Sequence, residues 1–148
     1  MMKTFVLAAM LLAATAQAET PTASEDIAAI NKVLNTSTAA WNAGDIPGFM
    51  ASYWQSENLR FASGGDVNFG WEPVRDRYLA RYPDKKAMGE LIFGDLDLTF
   101  LGPDHVLAFG TWRLIRDQDE PHGLYTLILH RLPEGWRIVH DHTSVAAE

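Results

Sequence analysis

Gly135-Trp136-Arg137-Ile138-Val139-His140-Asp141-His142-Thr143-Ser144 is the stretch on which the reading of this chain turns. It alternates as a β-strand does, so neighbouring side chains point to opposite faces. Asp141 therefore faces away from His140 and His142. Which face is interior separates a carboxylate site from a metal site and from plain structure. Just upstream, Pro133-Glu134-Gly135 reads as a three-residue turn that pairs Leu132 with Trp136. Counting on from that pair puts Leu127 opposite Asp141 and Tyr125 opposite Thr143, all on one face.

Further back the chain stays β. Residues 91–101 form a strand that turns at Gly102-Pro103-Asp104. Residues 106–116 follow, then an acidic loop over 117–120, then a strand over 124–132. Gly94 and Gly110 fall inside strands, where they predict bends or bulges. The first half is different. Thr22-Ala23-Ser24-Glu25 is a capping box, and Ile27, Ile30, Leu34 and Trp41 recur at helical spacing behind it. Gly44 ends that helix. Asp45 caps a short second helix with Phe49, Met50, Tyr53 and Trp54 on its apolar side. Two short strands, 59–63 and 67–69, turn at Gly64-Gly65-Asp66. A third helix over 71–82 then aligns Val74, Tyr78 and Tyr82. Helices first and an antiparallel meander after them is an α+β order in one domain.

Composition narrows the function classes. Apolar residues make up 47% of the 148, enough for one sizeable core. The formal net charge is −7 and no basic block is present. Nucleic acid and anionic membrane surfaces are therefore not expected partners. Cysteine is absent, which removes disulfides, thiolate metal sites and a cysteine nucleophile. No phosphate-binding Gly-rich loop and no Gly-x-Ser-x-Gly elbow occur, so no cofactor is expected. Lys3, the apolar run from Phe5 to Ala14 and Ala16-Gln17-Ala18 read as a signal peptide over residues 1–18. The expectation is a mature domain over 19–148, periplasmic or secreted. The apolar run is too short to span a bilayer.

Two motifs carry a family resemblance. Trp41-Asn42-Ala43-Gly44-Asp45, leading through a short helix to Tyr53-Trp54, resembles the opening of the nuclear transport factor two-like superfamily. The closing strand is similar to its SnoaL-like and ketosteroid-isomerase-like branch, and to the association domain of calmodulin-dependent kinase. The resemblance implies a cone: a curved antiparallel sheet wrapped on three N-terminal helices, with an apolar pocket inside, usually paired as a homodimer. It does not imply one activity. Ketosteroid isomerase has its oxyanion tyrosine where this chain has Ser37. Its general-base aspartate falls here at Phe61 or Ser63, and neither can abstract a proton from carbon. The kinase domain's pocket arginines correspond to Trp112, Leu127 and Thr143. The same correspondence turns Trp112, Tyr125, Leu127, Leu129, Asp141 and Thr143 inward. Phe109, Thr111, Ile115, Ile128 and Ile138 are left on the outer face, where a second copy would cover them.

The candidate site follows from that face. A desolvated Asp141 suits a general acid or base, with Tyr125 or Tyr78 as hydrogen-bond donor. Pairing with Arg75 or Arg137 would instead make it structural. Trp54, Tyr78, Trp112, Leu127 and Thr143 are candidate ligand contacts, for a small apolar or aromatic ligand. His130, His140 and His142 share the other face and could in principle hold zinc. Histidines bonded to backbone or to a partner copy explain them more simply, and no metal is assigned. His122 is a further candidate for proton transfer. Asp95 and Asp97 read as a solvated edge. Three functions stay open: a binding module without turnover, a SnoaL-like isomerase, cyclase or dehydratase using Asp141, and a dimeric assembly domain.

Overall fold

A computed structural model describes residues 22–147. The expected signal peptide lies outside the described residues. Helix α1 spans Ala23–Asn42 and opens on the capping box, with the Thr22 hydroxyl accepting from the Glu25 N–H. Its buried face is Asp26, Ile30, Leu34, Ser37 and Trp41, a helical stripe. Ile27, expected on this face, is 40% exposed. Asp26 takes its place because the Arg131 guanidinium pairs with both carboxylate oxygens. The Trp136 indole N–H also donates to it, at 3.3 Å. A carboxylate can be buried where partners replace its water, and these tie the start of α1 to the closing hairpin.

Asp45 caps α2, Ile46–Met50. Strands β1 (Arg60–Ser63) and β2 (Asp66–Phe69) make a hairpin, and α3 covers Trp71–Arg81. A single-turn helix α4, Lys85–Met88, adds a fourth helix to the three expected. Asp84 caps it and Gly89, at φ 66°, ends it. Strands β3 (Glu90–Phe100), β4 (His105–Ile115), β5 (His122–Leu132) and β6 (Gly135–Thr143) form the meander.

The sheet order is β2-β1-β6-β5-β4-β3. All pairs are antiparallel except β1 with β6, which run parallel. Beside β1, residues 52–54 also pair with β6: Ile138 donates to the Ser52 carbonyl and Trp54 to the Ile138 carbonyl, both at 2.9 Å. The closing strand thus has bonded neighbours on both edges. The strongly curved sheet wraps the helices, and the core of Ile30, Met50, Leu59, Val74, Val106 and Leu129 lies between them.

Two departures in the last hairpin cancel. The turn has two residues, Pro133 and Glu134, and pairs Leu132 with Gly135 rather than Trp136. One extra residue, Val139, then bulges between the Leu129–Ile138 and Ile128–His140 pairs. Beyond it Leu127 faces Asp141 and Tyr125 faces Thr143, the pairing that the longer turn would have produced. The bulge reverses which parity points inward. Ile138, expected on the outer face, is therefore buried at 2% exposure, while Asp141 is buried too.

Gly94 sits at a true register shift between β3 and β4, beside Asp95 at φ 51°. Gly110 lies at the same shift, on β4 between the Gly94–Thr111 and Asp97–Phe109 pairs, and a close approach also requires it. A Cβ there would lie 2.5 Å from the Tyr125 hydroxyl and 2.7 Å from the Gly94 carbonyl oxygen. The missing side chain lets the Tyr125 ring lie down against the sheet.

Candidate functional site

Between the helices and the curved sheet lies a cavity of about 340 Å³, within the size range of small-molecule sites. Much of its wall is aromatic. Trp41, Phe49, Tyr53 and Tyr78 come from the helical side, and Phe93, Trp112, Tyr125 and Leu127 from the sheet. Edge-on contacts lock these rings together, with Phe49 at 5.0 Å from Trp41 and 5.1 Å from Tyr78. Phe93 and Tyr125 meet at 5.0 Å. Rings so interlocked form rigid walls.

Asp141 is set into this wall, 4% exposed. Each carboxylate oxygen accepts one hydrogen bond. The Tyr53 hydroxyl donates to Oδ2 and the Thr143 hydroxyl to Oδ1, both at 2.7 Å. Burial pushes the carboxyl above its ordinary value, because an apolar surround penalises the charged form. The two hydroxyl donors, His142 and Arg77 pull the other way without reversing the shift. Burial also raises Tyr53 and Tyr78 well above the usual phenol value, and the nearby Asp141 charge adds to both. Tyr125 is pushed up to about 12 by burial. The phenols thus remain protonated donors at neutral pH, beside a carboxyl biased toward its neutral form. Such a group can give or take a proton, or donate a hydrogen bond.

Of the residues singled out from sequence, Tyr78, Trp112, Tyr125, Leu127, Asp141 and Thr143 border the cavity together. Trp54 does not. Residues 53 and 54 run extended along β6, so consecutive side chains diverge; Tyr53 turns in and Trp54 turns away. Tyr53 was missed as a site residue, because its step of four from Phe49 reads as helix when α2 in fact stops at Met50. Trp112 also fastens the C-terminal tail, its indole N–H donating to the Ser144 carbonyl at 2.9 Å. Neither arginine considered as an Asp141 partner reaches it. Arg75 bonds Asp76, and Arg137 bonds the Trp136 and Glu134 carbonyls. Ser37, Phe61 and Ser63, where ketosteroid isomerase would carry its oxyanion tyrosine and base, all border the cavity.

The histidines do not converge. His130 stacks on His105 at 4.1 Å, and His140 accepts from the Arg60 Nε. Burial, followed by the charges of Arg60 and His142, lowers the His140 imidazole. Among the described residues no group of three or more His, Asp or Glu could hold a metal ion. His122 borders a separate groove on the outer side of the sheet, with Ile92, Thr111 and Leu124.

A curved sheet wrapped on N-terminal helices, with a cavity between them, defines the nuclear transport factor 2-like cone. The chain belongs to the SnoaL-like domain family, whose model matches residues 30–148. A nuclear transport factor 2-like protein of unknown function from Shewanella oneidensis is 34% identical, with a TM-score of 0.76, covering 83% of this chain and 99% of that one. A cystatin-like-fold domain from Nostoc punctiforme has 22% identity and a TM-score of 0.71, covering 86% of this chain and 81% of its own. A ketosteroid isomerase-like protein from Erwinia carotovora atroseptica has 15% identity and a TM-score of 0.67, covering 84% and 98%. The last two show the fold alone. No curated protein matches the chain.

Proposed function

We propose that this protein binds a small, largely apolar or aromatic molecule inside the cone and pairs with a second copy through the outer face of its sheet. The observation that carries the binding reading is the buried Asp141. Tyr53 and Thr143 hold it in an otherwise aromatic wall, where it can engage one polar group of an apolar guest. A carboxyl there with no guest to recognise would lower stability for no return. The test is a thermal-shift screen of hydrophobic small molecules, followed by mass spectrometry of the recovered ligand. A binder at about a hundred times its Kd should stabilise by about 2.7 kcal/mol, roughly 8 °C in a domain of this size. A screen in which no apolar compound raises Tm would sink the reading.

A second reading is acid–base turnover of the bound molecule, with Asp141 as the proton-transfer group and Tyr53 as its hydrogen-bonded partner. The upward direction of the Asp141 carboxyl favours it, since that direction leads toward the ambient pH at which acid–base groups work best. The ketosteroid isomerase-like relative is consistent with it in fold only. The same screen separates the two. A ligand recovered unchanged supports binding alone, whereas a converted ligand whose conversion stops in Asp141→Asn supports turnover.

A further inference from the structure

The arginines of this chain divide sharply by location. Arg60 bonds His140, Arg75 bonds Asp76, Arg113 pairs with Glu120, and Arg116 bonds Asp119. Arg131 pairs with Asp26, and Arg137 bonds backbone carbonyls. Arg77 and Arg81 alone, among the described residues, form neither an ion pair nor a side-chain hydrogen bond, and both border the cavity. They sit one turn apart on α3, so they project side by side. The exposed residues bordering the cavity, Gly64, Asp66, Arg81 and Val145, mark its mouth. Arg77 lies half-buried just inside it.

Their local settings do not account for both. Arg81 is in the last turn of α3, where a cation offsets the helix dipole. Arg77 lies a turn earlier, where that effect has faded. Its guanidinium is stacked 4.7 Å over the Phe61 ring, and Arg81 lies 5.9 Å from the Tyr82 ring. A guanidinium held over a ring by its π-face attraction still has N–H donors free for a carboxylate. Asp66, the one carboxylate among the described residues at the mouth, makes no ion pair with either arginine. The whole chain carries −7, so two cations with no ion pair among the described residues stand against its overall field at the cavity mouth.

We infer that the ligand is an amphipathic anion. Its apolar body fills the aromatic interior, and its single anionic group sits at the mouth between Arg77 and Arg81. This rests on the cavity being a ligand site. It adds a polarity to that site, with the anionic end at the solvent and the end that meets Asp141 inside. A monoanionic aromatic or fatty acid has this chemistry; a neutral sterol-like molecule would leave both arginines without a partner.

A matched pair of fluorescent probes tests it. N-phenyl-1-naphthylamine is neutral, and 8-anilino-1-naphthalenesulfonate is the same skeleton with a sulfonate. Titrated into the protein, both should bind, the sulfonate at least about tenfold tighter, as expected for one or two charge-assisted hydrogen bonds. In the double variant Arg77→Gln with Arg81→Gln the preference should collapse to parity while the neutral probe binds as before. Each single variant should lose part of it. Lys32→Gln, an equal charge change on the exposed side of α1, should keep it. Equal affinity of the two probes for the unaltered protein overturns the inference and leaves the cavity reading standing. A preference retained by the double variant places the sulfonate elsewhere and overturns it too. If neither probe binds, the cavity reading and this inference fall together.

Discussion

At the scale of the residue, Asp141 is defined by what surrounds it. Its ordinary carboxyl value near 3.8 is raised by burial, so the folded state holds its proton more tightly than the unfolded chain does. Ionised Asp141 therefore opposes folding at neutral pH, and that penalty is relieved as pH falls through the folded value toward the unfolded one. Asp26 behaves oppositely. Its hydrogen bonds from Arg131 lower its carboxyl, so its contribution is present above the unfolded value and is lost as pH falls through the folded one. Melting Asp141→Asn beside the unaltered protein should separate the two effects. The variant should gain in Tm relative to the parent at neutral pH, and the gain should shrink as pH falls through the raised folded value toward the ordinary carboxyl value of about 3.9. An Asn keeps an acceptor for one hydroxyl and an amide for the other, so the fold should survive. A gap that does not narrow on acidification would mean Asp141 is not the group responsible.

At the scale of the element, the site depends on two irregularities. The extra residue at Val139 lets the same strand bury Ile138 below the bulge and Asp141 above it. Gly110 makes room for the Tyr125 ring. Gly110→Ala should put a methyl in the space held by the Tyr125 hydroxyl and cost about 1–3 kcal/mol in overpacking, measurable by urea denaturation. It should also displace the ring from the cavity wall and change the near-UV circular dichroism. An unchanged denaturation midpoint would show that the strand can shift aside. Val139 could not have been recognised from sequence, since nothing in Arg-Ile-Val-His distinguishes a bulged residue from a paired one. Gly110 could be, and it announced an irregularity of some kind. That it would face the β3 bulge and also make a close approach depended on Asp95 and Tyr125, residues on the two neighbouring strands.

At the scale of the whole molecule, the concave face of the sheet is filled by helices and cavity, while the convex face carries Ile92, Phe109, Ile115 and Leu124 at 37–47% exposure. Several apolar side chains together on one open sheet face favour association. The proposed pairing of two copies predicts that Phe109→Glu yields monomers in analytical ultracentrifugation, with secondary structure intact; a monomeric parent protein would refute it. The α+β order, the Thr22 and Asp45 caps and the meander were legible in the chain, because capping chemistry and the periods of helix and strand act between residues close in sequence; the inward turn of Asp141 was implied by the family resemblance alone, since the Val139 bulge that sets it leaves no mark in the sequence. The partners of Asp141 were not. Tyr53 lies 88 residues away from it and arrives only because residues 52–54 pair with β6. Arg77 and Arg81 carry no distinguishing signal in the sequence, and the fold alone brings them to the cavity. Sequence by itself determined the elements and the family of this protein. Only the tertiary structure decided which side chains share the cavity, because parity after a bulge and contacts across the sheet are settled by packing between distant segments.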